Sequence, residues 1–170
     1  MYLSGVDFES MADGEGVRTV LFVSGCRHYC KGCHSQSTHD FNAGTKVTDE
    51  LIKYINSMTE ARPFLSGLTL SGGDPMYSAK EILEILPSLY VPHKNIWCFT
   101  GFTFEQLLKD KYQRSLLEHI DILVDGEFKI DKRDVTLQFR GSSNQRIIDV
   151  QESLRTGKIV EWKGNSNYGY

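Results

Sequence analysis

The stretch VRTVLFVSGCRHYCKGC, residues 17–33, joins two kinds of sequence end to end. Its first half, VRTVLFVS (17–24), is β-branched and apolar, as expected of a buried strand. Its second half packs three of the chain's four cysteines, Cys26, Cys30 and Cys33, into a loop that starts where the strand stops. In an α/β fold, a loop at a strand's carboxyl end is where chemistry gathers.

Working outward, the alternation repeats. VTDELIKYINSMTEA opens with a Thr48 cap and acidic residues in its first turn, then puts Leu51, Ile55 and Met58 on one face of a helix. LSGLTLSGG (65–73) is a short strand ending in glycines, and SAKEILEILPSL is helical from a Ser78 cap to Pro87. NIWCFTG (95–101) and IDILVDG (120–126) read as further strands, with helices in TFEQLLKD and RSLLEHI between them. Such units imply parallel strands with right-handed crossovers, hence a barrel or an open α/β sheet. Beyond residue 128 the expectation is of strands or hairpins at DVTLQF, QRIIDV and GKIVEWK, a brief helix at VQESLR, and a loose or partner-facing GNSNYGY tail.

Composition sets the outer bounds. At 170 residues, with 40% hydrophobic and 24% charged residues, the chain is expected to form one domain over 1–170. A formal charge of −3 gives no global basic field, so nucleic acid is not the first partner to consider. The amino terminus shows no basic segment followed by an apolar run, and no stretch approaches membrane-spanning length, so a cytoplasmic protein without a membrane partner is expected. A tight cysteine cluster then points to metal or redox work. Cys98, flanked by Trp97 and Phe99, reads instead as a buried core thiol.

Three thiolates in a C-x3-C-x2-C loop suit a soft metal centre, either zinc or an iron–sulfur cluster. A closed zinc site would recruit His28, His34, His39 or Cys98 as a fourth ligand. A 4Fe-4S cluster held by three cysteines would instead keep one iron open. LSGGDP (70–75) is either a plain strand-to-helix turn or a place where Gly72 and Gly73 let a ligand approach exposed amides. RGSSNQR (140–146) is turn-forming in composition. Arg140 and Asn144 within it, Thr100 and Gly101 after one strand, and Asp125 at the end of another divide between ligand contact and ordinary packing.

The cysteine spacing after a first strand resembles the signature of the radical S-adenosylmethionine (SAM) superfamily, and LSGGDP resembles its "GGE" segment, with Asp74 in place of the more frequent Glu. DGEGVRTVLFVSGC is similar to the approach to the cluster in activating enzymes of glycyl-radical proteins, with Glu15 where proline is usual. IWCFTGFTFEQL, ILVDGEF and above all RGSSNQRIIDV resemble, in order and spacing, the activating-protein family of anaerobic ribonucleoside-triphosphate reductases, over about residues 13 to 150. His34 and His39 depart from that pattern, His39 standing at a usual tryptophan position.

The resemblance implies an incomplete (β/α) barrel open on one side. It implies a 4Fe-4S cluster on Cys26, Cys30 and Cys33 whose unique iron chelates SAM, and reductive cleavage of SAM to a 5′-deoxyadenosyl radical. That radical would generate the glycyl radical on the large subunit of anaerobic ribonucleotide reductase, with a flavodoxin-like or ferredoxin-like electron donor. The implied SAM contacts are Gly32, His34, Gly72, Gly73, Asp74, Thr100, Arg140 and Asn144, with no side-chain acid or base. The alternatives are another radical SAM enzyme, with a different glycyl-radical partner or a small-molecule substrate, and a non-catalytic zinc-binding interaction module.

Overall fold

The computed structural model describes residues 1–164. Seven strands form one sheet: β1 (Tyr2–Ser10), β2 (Arg18–Val23), β3 (Thr45–Lys46), β4 (Gly67–Gly72), β5 (Ile96–Phe99), β6 (Ile122–Asp125) and β7 (Arg146–Asp149). Their order is β3-β1-β2-β4-β5-β6-β7. The four central strands, β2, β4, β5 and β6, run parallel, as their strand-helix alternation requires. β1 and β7 are antiparallel to their neighbours, so the sheet is mixed and open rather than closed on itself.

The described residues hold five α-helices, α1 (Asp49–Glu60), α2 (Ala79–Ile85), α3 (Phe104–Leu107) and α4 (Lys111–Leu117) between strands and α5 (Val150–Thr156) after the last one. Thr48 caps α1 as expected, its hydroxyl accepting from the Leu51 N–H. The other expected cap differs. Ser78 makes no capping bond; Asp74 opens the helical region four residues earlier by accepting from the Met76 N–H, and Pro75 fills the first position.

One face of the sheet carries the main core. Leu21, Val23, Leu68, Leu70, Cys98 and Leu123 pack there against Ile52 and Ile55 of α1, Ile82 of α2 and Leu116 of α4. Cys98 is fully buried in it, as its flanks suggested. Strand alternation sends Trp97, Ile122 and Val124 to the other face, where Phe139 and Trp162 cover them.

Two expectations need correcting, and one strand was not anticipated. The unanticipated strand is β1, which pairs with β2 on one side and the short β3 on the other, and two register shifts break its alternation. DVTLQF is not a strand: Asp134 folds it into a turn by accepting from the Thr136 N–H and hydroxyl, and Phe139 has φ 56°. GKIVEWK contributes only an isolated bridge between Glu161 and Ile148. The expectation for GNSNYGY falls almost wholly outside the described residues. No described helix is long and apolar enough to cross a membrane.

Candidate functional site

The loops after β2, β4, β5 and β6 meet at one end of the sheet. The cysteine loop is fastened where it begins and ends: Gly25 N–H donates to the Thr38 carbonyl (2.8 Å) and Cys26 N–H to that of His39 (3.1 Å). The turn after β4 locks onto it, with Gly73 N–H donating to Val23 (2.8 Å) and Asp74 N–H to Gly25 (2.9 Å). Such closeness requires glycine, because a Cβ on Gly73 would lie 2.6 Å from the Gly25 carbonyl oxygen. The expected ligand-facing amides of GGDP are therefore taken by the protein's own backbone.

Asp74 is the hub of the site and is 1% exposed. Its carboxylate accepts from the Thr100 hydroxyl and the Gly101 N–H, each at 2.9 Å, and from the Met76 N–H. It also meets His28 Nε2 at 2.7 Å. The other ring nitrogen of His28 faces Glu127 at 3.3 Å. Two carboxylates on the two ring nitrogens is the arrangement an imidazolium makes. Burial works against the charge, but the hydrogen bond to Asp74, its negative charge and Glu127 outweigh it and raise the His28 pKa. Phe102 (4.6 Å) and Tyr77 (5.4 Å) complete the wall around the ring.

All three loop thiols are free of disulfides; Cys26 is buried, while Cys30 and Cys33 are partly exposed. Without a metal, burial pushes the Cys26 thiol up to about 11, with the nearby charges of Asp74, Cys30 and Cys33 adding to it and only the His28 backbone opposing. Burial likewise raises Cys30, helped by Glu127 and opposed by a hydrogen bond from the Phe128 backbone. Ligation by a cation reverses that logic, since a coordinating thiol is deprotonated. Among the described residues, no three His, Cys, Asp or Glu side chains converge as ligands of a single metal ion.

The remaining candidates divide. Gly32 and His34 are exposed on the cysteine loop, and Gly72 ends β4 beside Val23. Thr100 turns inward to Asp74. Arg140 donates to the Gln145 carbonyl (2.7 Å), bracing its own turn. Asn144 donates from Nδ2 to the Glu127 carbonyl (2.8 Å), while its Oδ1 is the one buried side-chain polar atom without a partner among the described residues. Asp125 accepts from the Phe104 N–H (2.8 Å) and pairs with Arg146, a packing role.

Sequence reasoning missed the centrality of His28, considered only as a zinc ligand, and missed Glu127. Their contact spans 99 residues, and the available signal was that both stand in loops following buried strands.

The sequence profile of the family described as "4Fe-4S single cluster domain" matches residues 12–148. A protein of Haemophilus influenzae named anaerobic ribonucleoside-triphosphate reductase-activating protein is 43% identical over 141 residues, 79% of this chain and 89% of its own length. The protein of that name from Vibrio cholerae is 43% identical over 142 residues, covering 81% and 90%. That of Enterobacteria phage T4 is 37% identical over 139 residues, covering 79% and 85%. With three disulfide-free thiols in one loop and likeness of this extent, the chain belongs to the 4Fe-4S single cluster domain family and to the anaerobic ribonucleoside-triphosphate reductase-activating proteins.

Proposed function

We propose that this protein is a radical SAM activase that generates the glycyl radical on the large subunit of anaerobic ribonucleotide reductase. The observation that carries the reading is the set of three disulfide-free thiols in one anchored loop at the carboxyl end of β2. In this reading Cys26, Cys30 and Cys33 hold a 4Fe-4S cluster, and the incomplete barrel is the half-wrapped form of the open sheet. The donor chemistry fits: soft thiolates suit iron, and three of them leave a position for SAM.

The orphaned Oδ1 of Asn144 fits as well, since a buried acceptor without a partner costs free energy until a donor arrives. When bound, the cluster and SAM supply one-electron reduction and the 5′-deoxyadenosyl radical. The protein's own residues supply placement. Gly32 and His34 border the cluster loop, where an adenine would lie, and Arg140 holds the turn that presents Asn144. Asp74 and Thr100, whose side chains are occupied with one another, contribute to SAM binding by fixing where the Gly72–Gly73 backbone and the cysteine loop stand. Hydrogen abstraction needs the partner's glycine close and water excluded, with no acid or base.

The test is anaerobic reconstitution with iron and sulfide, followed by EPR of the reduced protein with and without SAM. A 4Fe-4S signal that SAM perturbs, and a glycyl radical on added reductase, support the proposal. Zinc without sulfide, or a cluster indifferent to SAM, overturns it.

A further inference from the structure

Two neighbouring segments give one part of this acidic chain the opposite sign. A Cβ on Gly32 would lie 3.0 Å from Ile130 Cδ1, the Phe128 backbone reaches the Cys30 sulfur, and Glu127 reaches His28. The cysteine loop and residues 127–134 therefore lie side by side. They carry five exposed cations, Arg27, Lys31, Lys129, Lys132 and Arg133, against Glu127, Asp131 and Asp134. The whole chain has 19 basic and 22 acidic residues, so the excess is local. Among the described residues, none of the five cations forms an ion pair. Two apolar side chains stand exposed in the same segments, Tyr29 at 71% and Ile130 at 44%.

We propose that this surface, the outer side of the cysteine loop with the 127–134 segment, docks an acidic one-electron carrier protein. The proposal rests on the function proposed above, because a carrier is needed only if the thiols hold a redox group. Exposed apolar side chains among unpaired charges suit a transient complex, in which the charges speed and orient encounter. The form of the surface favours a carrier over a threaded polypeptide. Electron transfer needs closeness to the thiolates, which the partly exposed Cys30 and Cys33 provide, and no cleft. The cavities of about 460 and 390 Å³ are lined by other segments. One electron leaves the carrier, which is oxidised, and enters the group held by the cysteines, which is reduced; no bond forms or breaks at this surface.

The test combines Lys31→Glu, Lys129→Glu and Lys132→Glu in the cluster-loaded full chain, titrated anaerobically with flavodoxin as the probe and followed by flavin fluorescence across a salt series. The wild-type protein is expected to bind more weakly as salt rises, and the triple variant to bind roughly tenfold or more weakly at low salt with a flattened salt dependence. Glycyl-radical formation driven by dithionite should remain at the wild-type level. A Lys→Gln triple variant with an intermediate loss guards against misfolding. Equal flavodoxin affinity in wild type and variants overturns the proposal, as does loss of reductase binding with flavodoxin binding intact. Failure of the wild type to form a glycyl radical even with dithionite tells against the proposed function alone, and the flavodoxin titration is read independently of it.

Discussion

A carboxylate offers about four lone-pair sites, and Asp74 fills them with the Met76 N–H, the Thr100 hydroxyl, the Gly101 N–H and the His28 ring. An amide at this position keeps one acceptor and turns an NH2 toward groups that are themselves donors. Asp74→Asn is therefore expected to cost about 2–3 kcal/mol, seen as a lower urea midpoint at unchanged slope, and to weaken SAM binding in equilibrium dialysis. The cysteines separate by environment. Cys26→Ala, Cys30→Ala and Cys33→Ala are each expected to abolish the reduced-cluster EPR signal and methionine release from SAM. Cys98→Ala should retain both, at a stability cost of about 1 kcal/mol for the small cavity it leaves. The cysteine motif was plain in the sequence because its three thiols are close neighbours in the chain. The Asp74–His28–Glu127 line was not, because it joins three loops that only the sheet brings together.

At the scale of elements, the amino ends of β2, β4 and β5 are tied by one buried cation. Arg18, 1% exposed, donates to Thr69 Oγ1 (2.8 Å), to the carbonyls of Glu15 and Leu68, and to both oxygens of Asn95, with Trp97 5.5 Å away. Burial lowers its pKa to about 10 despite the charges of Asp121 and Glu15, so it stays protonated at neutral pH. Lysine cannot reproduce a planar fork with five donors. Arg18→Lys is expected to lose about 3 kcal/mol in urea unfolding, without moving the cysteine loop at the other end of the strands. The parallel strands were readable from sequence because continuous apolar runs mark strands covered on both faces. β1 escaped notice because its two register shifts and Gly5 interrupt the alternation that would have marked it. DVTLQF misled because its Leu137 and Phe139 imitate alternation inside a turn set by Asp134.

For the whole molecule, acid should act first where the helices meet the last strands. Arg146 donates to Glu105 Oε2 (2.8 Å) and to Asp125 Oδ2 (2.5 Å), joining α3 to β6 and β7. The hydrogen bond from Arg146 holds the Glu105 carboxyl at about 2, below its ordinary 4.5. A depressed pKa contributes stability that is complete above the ordinary value and is lost as pH falls from there toward about 2. Urea midpoints are thus expected to fall across that interval, and Glu105→Gln should lower the midpoint at neutral pH, where the lost contribution is complete, and flatten the fall toward acid. The cysteine loop is closed by the Gly25–Thr38 and Cys26–His39 backbone bonds and pinned by Gly73 and Asp74, none of which involves a metal. Removal of a group held by the thiols is thus expected to leave the loop's base and the sheet standing. Under the proposed function, loss and rebuilding of the cluster are then local events in a chain that stays folded.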